Sequence, residues 1–155
     1  MKKLIIVLFL VIGSKSVHAQ DIYWETDFKK AIETSEKTKK PLMMFFTGSD
    51  WCGWCIRLQK EVFKTAEFAT WAKNNVVLVE LDYPRRTPQE EKIKMQNSEM
   101  QQLFQVAGYP TVWFVNPSEV NKKINLDKIG STGYIAGGAN AWITTADQIL
   151  ANRKG

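Results

Sequence analysis

Both cysteines of this chain fall in one run, Trp51-Cys52-Gly53-Trp54-Cys55. Two thiols with two residues between them can close and open a disulfide within one short segment. One attacks a partner's disulfide while the other stands near enough to resolve the mixed disulfide. A static structural bridge fits this spacing poorly, because so short a loop removes little entropy from the unfolded chain. The rest of the composition narrows the chemistry further. His18 is the only histidine, and it lies in an N-terminal segment that reads as removable. Two cysteines without histidine cannot complete a zinc site of Cys and His ligands or a Cys-His protease pair. No metal and no bound cofactor is expected, only a redox-active disulfide between Cys52 and Cys55.

The flanking pattern describes what must hold this motif. Apolar residues 41–46 run into it as a short buried strand, and a helical pattern over residues 56–63 runs out of it. Cys52 then falls at a helix start, where free backbone N–H groups and the helix dipole favour thiolate over thiol. Upstream, residues 28–39 place Phe28, Ala31 and Ile32 on one helical face and end before Pro41. Downstream, the helix is predicted to break near Lys64 and Thr65 and resume through Phe68, Ala69, Trp71 and Ala72. Residues 76–81 are the clearest strand, followed by a loop at Tyr83-Pro84-Arg85-Arg86.

Thr87 reads as the cap of the next helix, with Pro88 in its first turn and Glu90 as the capping-box acid. That helix should carry Ile93, Met100, Leu103 and Phe104 towards a core and end by Gly108. A strand over residues 110–115, stopped by Asn116-Pro117, can pair with residues 124–129 as a hairpin. A glycine-rich stretch, 130–138, leads to a final helix over 139–152. Trp24, Trp71, Trp113 and Trp142 are expected in the core. Alternating strands and helices argue for an α/β fold, and the late hairpin makes its sheet mixed.

The first 19 residues read as an address. Lys2 and Lys3 precede an apolar run over residues 4–12, and Val17-His18-Ala19 supplies the small residues a signal peptidase needs. The run is far shorter than the roughly 20 residues of a spanning helix. Cleavage after Ala19 leaves residues 20–155 as a single domain in the periplasm or outside the cell. Lys2, Lys3 and Lys15 account for three of the formal net charge of +5, so residues 20–155 carry +2. That balance gives no argument for nucleic-acid binding.

Three landmarks in order resemble the thioredoxin fold: a strand entering Trp51-Cys52-Gly53-Trp54-Cys55, the strand over 76–81 followed by Asp82, and Gly108-Tyr109-Pro110-Thr111 opening the next strand. The likeness spans residue 27 to the C-terminus. The run Gly48-Ser49-Asp50-Trp51-Cys52 and the long helical segment before Pro110 are most similar to a secreted bacterial thioredoxin-like group. The resemblance implies a central mixed β-sheet flanked by helices and a monomeric thiol-disulfide oxidoreductase. Cys52 would be the more exposed, attacking thiol and Cys55 the buried, resolving one. Its partners would be proteins with disulfides, with electrons supplied by a membrane thiol-disulfide carrier. The same residues also serve an oxidant that donates its disulfide, or an idle fold that only binds.

Further roles follow, Pro110's from the same resemblance and the others from the residues themselves. Pro110 would be cis, leaving the backbone of Tyr109 free to pair with an extended substrate, and the Tyr109 ring could gate access. Trp51 is expected to pack beneath the site, and Gly53 and Trp54 to meet substrate. The chain departs from thioredoxin in having Trp54 where proline stands before the second cysteine. It also lacks the buried aspartate on the strand entering the motif. Glu80, the only acid within residues 76–81, is the candidate to relay a proton to Cys55 in its place, with its pKa raised by burial.

Overall fold

The computed structural model describes residues 22–120 and 123–153; the expected signal segment and its cut after Ala19 lie outside the described residues. Helix α1 (Phe28–Thr38) starts where the Asp27 carboxylate accepts the backbone N–H groups of Lys29 and Lys30. It buries Phe28, Ala31, Ile32 and Ser35, a single stripe at helical spacing. Strand β1 (Leu42–Thr47) follows and is buried at every residue, as a central strand covered on both faces must be. Strand β2 (Val77–Asp82) lies parallel to β1, and β3 (Thr111–Val120) lies antiparallel on its other side. With β4 (Lys123–Thr132) the sheet has the order β2-β1-β3-β4.

Helix α2 (Gly53–Leu58) runs into a π-helical turn (Gln59–Phe63), and α3 (Ala66–Asn75) restarts where Thr65 caps the Phe68 N–H. The break near Lys64 and Thr65 is therefore present, preceded by a π turn with no counterpart in the sequence pattern. Helices α4 (Glu91–Leu103) and α5 (Gly138–Leu150) complete the chain. Period-two alternation along β1 divides two cores. Met43 and Phe45 join Cys52, Cys55, Leu58, Phe68 and Trp142 on one side of the sheet. Leu42, Met44 and Phe46 join Phe28, Ile32 and Phe104 on the other. This is the mixed sheet flanked by helices that the resemblance implied.

Three expectations need correction. Helix α4 starts at Glu91, not at a Thr87 cap, and Glu90 before it makes no capping bond through its side chain. The Thr87 amide and hydroxyl both donate to the Asp50 carboxylate instead, a charged acceptor that outcompetes a local cap. Strand β3 does not stop at Asn116-Pro117 but continues to Val120. Past Val115 it pairs with β4 alone, so Pro117 stands at an edge, where a residue without an N–H is tolerated. Leu103 is 50% exposed rather than in the core. Phe104 is in the core with Met100 packed against it, as expected, and polar contacts add to them: the Asn97 side-chain amide donates to the Asp82 carbonyl at 2.8 Å, and the Tyr83 hydroxyl donates to the Asn97 carbonyl.

Candidate active site around Cys52 and Cys55

Strand register decides what meets the cysteines. Thr47 pairs with Asp82, Phe46 with Thr111, and Val112 with Thr132. Four chain segments therefore leave the sheet at one end: residues 48–52, 83–87, 108–110 and 133–135. Cys52 and Cys55 form a disulfide with a sulfur–sulfur distance of 2.06 Å. Cys52 occupies the cap position of α2, and its sulfur accepts the backbone N–H of Cys55 at 3.2 Å. Cys52 is 5% exposed and Cys55 0%, so Cys52 is the sulfur nearer solvent by a small margin.

The other candidates surround this pair. Gly53 is exposed, with open space where a side chain would be. Trp54 is 55% exposed and leans on Tyr134 at 5.0 Å between ring centroids. Trp51 is half-buried, lying close over Gly48, and its indole N–H donates to the Tyr83 carbonyl at 2.7 Å. Tyr109 meets Trp51 edge-on at 5.6 Å and Tyr83 at 5.2 Å. The Tyr109–Pro110 peptide bond is cis. Burial raises the Tyr109 phenol above its ordinary range. With two aromatic neighbours, the Tyr109 ring forms a wall of the site.

Glu80 stands apart from this cluster. It pairs in register with Phe45, and alternation along β2 puts it on the same side as Leu78, the cysteine side of the sheet. Burial, then the nearby negative charge of Asp82, pushes its carboxyl above the ordinary range. Among the described residues nothing donates a hydrogen bond to that carboxylate.

Several groups at the site have no forecast in the sequence. The Asp50 carboxylate accepts the backbone N–H groups of Arg85, Arg86 and Thr87 at 3.0, 2.7 and 2.9 Å. These bonds hold its carboxyl down to about 2, against an ordinary 3.8. They tie the 83–87 loop to the motif and set the Arg85 guanidinium 3.7 Å from the centre of the Trp51 ring. On the far side, Glu61 accepts from Arg57 Nε at 2.7 Å and from the Tyr134 hydroxyl at 2.6 Å. Thr47, at the end of β1, is fully buried, and among the described residues its hydroxyl has no hydrogen-bond partner. Two signals point to them: the four-residue spacing of Arg57 and Glu61 on a helical stretch, and, indirectly, a loop rich in Arg and Tyr following a strand parallel to the motif strand, which must emerge beside the motif.

Comparison with known proteins gives the same assignment. A family profile described as thioredoxin-like matches residues 23–117. The chain is 29% identical over 140 residues to the disulfide bond reductase DsbH of Chlamydia pneumoniae, covering 90% of this chain and 80% of that protein. It is 30% identical over 136 residues to the thioredoxin-related protein DsbJ of the same organism, covering 85% of this chain but only 38% of that longer protein. A solved structure of a DsbH oxidoreductase superposes with a TM-score of 0.79 at 29% identity, over 92% of this chain and 94% of that one.

Proposed function

The chain belongs to the thioredoxin-like family, and from that premise we propose that it reduces protein disulfides outside the cytoplasm through Cys52 and Cys55. In the reduced form the Cys52 thiolate attacks one sulfur of a substrate disulfide. A Cys52–substrate bond forms, and the other substrate sulfur leaves as a thiolate that takes up a proton. Cys55 loses its proton and attacks Cys52, releasing the second substrate thiolate. Two electrons pass to the substrate, and the Cys52–Cys55 disulfide remains.

One observation carries this reading: the disulfide sits at the start of a helix, with Cys52 capping it, beside the open flank made by Gly53 and Trp54. The free N–H groups of a helix start favour the thiolate form of Cys52. Trp51 and Tyr109 wall the other flank, and an extended substrate would pair with the Tyr109 backbone next to Pro110. Glu80, desolvated on the cysteine side of the sheet, is suited to take the Cys55 proton, because a carboxyl raised towards neutrality is a better base. The reductive direction is supported by the name of the relative DsbH. A dithiol donor must then return the electrons, and a membrane thiol-disulfide carrier is the class that delivers them beyond the cytoplasm. The extracytoplasmic placement rests on residues 1–19, and the working unit is one domain, residues 20–155, acting as a monomer.

The test is a trap. A Cys55→Ala variant incubated with disulfide-bearing secreted proteins should accumulate mixed disulfides that dithiothreitol releases and that Cys52→Ala does not form. A fold that only binds partners gives no covalent adduct with either variant.

A further inference from the structure

Each tryptophan beside the cysteines carries an arginine. Arg85 lies over Trp51 at 3.7 Å, and Arg57 lies 5.4 Å from the Trp54 ring centre and 5.2 Å from that of Tyr134. The rim also holds three carboxylates, Asp50, Asp82 and Glu61, and all three are engaged by donors of the protein itself. Asp50 accepts three backbone N–H groups and the Thr87 hydroxyl. Asp82 accepts the amide and hydroxyl of Ser49, and Glu61 accepts Arg57 and Tyr134. The guanidinium groups are in the opposite condition. Arg57 gives one N–H to Glu61 out of the five a guanidinium holds. Among the described residues no carboxylate pairs with the exposed side chains of Arg85 or Arg86. The rim carboxylates are thus taken up by the protein's own donors, while most guanidinium N–H groups are left for a partner.

We propose that this rim selects disulfides flanked by Asp or Glu, a refinement that rests on the disulfide-exchange function above. A substrate strand centred on Cys52 carries its neighbouring residues over Trp51 on one side and Trp54 on the other. A carboxylate next to the half-cystine then accepts two parallel N–H bonds from a guanidinium already placed against an aromatic ring, so less side-chain freedom is lost. A lysine at the same place meets the guanidinium charge and gains no acceptor. The rim carboxylates weaken the long-range field, so selection works at contact distance. Contacts of this exposed kind are modest, and two of them give a preference of about two- to ten-fold in kcat/KM.

The experiment uses the reduced protein and three peptides of equal length, each with one intrachain disulfide whose flanking residues are Glu, Ser or Lys. Rates are followed by tryptophan fluorescence. The expected order is Glu, then Ser, then Lys, with the spread shrinking as salt rises from about 20 mM to about 1 M. Arg85→Gln should narrow the Glu-to-Lys ratio. Lys37→Gln, which removes the same charge from the exposed side of α1, should leave that ratio alone. Equal rates for the three peptides, a Lys-first order, or Lys37→Gln acting like Arg85→Gln would overturn the inference. Should Arg85→Gln fail to fold, the peptide and salt series on the parent protein decides it. Failure to reduce any of the peptides would instead overturn the disulfide-exchange function itself.

Discussion

Replacing Thr47 by valine should stabilise the oxidised protein, although the residue sits in the central strand of a tightly packed sheet. Thr47 has no solvent exposure, and its Oγ1 has no hydrogen-bond partner among the described residues. Alternation along β1 turns it to the same side as Met43 and Phe45, towards the cysteine pair. A buried hydroxyl without a partner retains its desolvation cost, roughly 1–3 kcal/mol on mutational scales. Valine has nearly the same shape, carries no polar atom and suits a strand at least as well. Part of that cost is offset by small adjustments around the new methyl, leaving an expected gain of about 1–2 kcal/mol. For a domain of this length that raises Tm by about 3–6 °C. Urea denaturation of the oxidised protein, followed by fluorescence and circular dichroism, measures it. The comparison holds where parent and variant share one m-value. A loss of about 1 kcal/mol or more would show that the hydroxyl is paired in solution and would refute the reasoning.

Three further outcomes follow from named contacts. A Cβ on Gly48 would collide with the Trp51 ring, so Gly48→Ala should displace that ring, cost about 1–3 kcal/mol and shift tryptophan emission; an unchanged Tm contradicts this. Glu80→Gln should slow release of reduced substrate most where the parent carboxyl is ionised, and unchanged rates from about pH 5 to about pH 9 would remove Glu80 from the proton path. Burial raises the folded pKa of Glu80 above its ordinary 4.5, so its stabilising share is complete below 4.5 and lost as pH rises through the raised value; the variant should gain stability over the parent across that window. Asp50→Asn should speed tryptic cleavage after Arg85 and Arg86 at neutral pH, because the tie to those amides weakens. In the parent, the tie should persist as pH falls below 3.8 and loosen only towards about 2, visible as a change in Trp51 fluorescence.

What could be read from the chain beforehand was what local spacing controls. The strand entering the motif, the break near Lys64 and Thr65, the buried strand around Val79 and the helix carrying Trp142 all announce themselves within windows of a few residues. The misread positions depend on partners far along the chain. Thr87 looks like a helix cap until Asp50, 37 residues earlier, takes its amide and hydroxyl. Pro117 looks like a strand stop unless the open edge beyond Val115 is known. Leu103 fits the apolar stripe of Met100 and Phe104, which meet the core, but it stays exposed because Gln96 and Asn97 fix the helix through polar contacts. Arg57 stands three residues after Trp54 and four before Glu61 on one helical stretch, a local spacing, whereas Arg85 reaches Trp51 only through strand register and the bonds of Asp50, which no local pattern encodes.

The reduction potential of the Cys52–Cys55 pair tests the central claim most directly. Equilibrating the protein from residue 20 onward with thiol buffers, and following tryptophan fluorescence, yields that value. A potential near about −250 mV or below is the result expected of a reductase that must be resupplied with electrons. A value near about −120 mV would make the pair an oxidant that gives its disulfide away, and would contradict the direction of electron flow argued here.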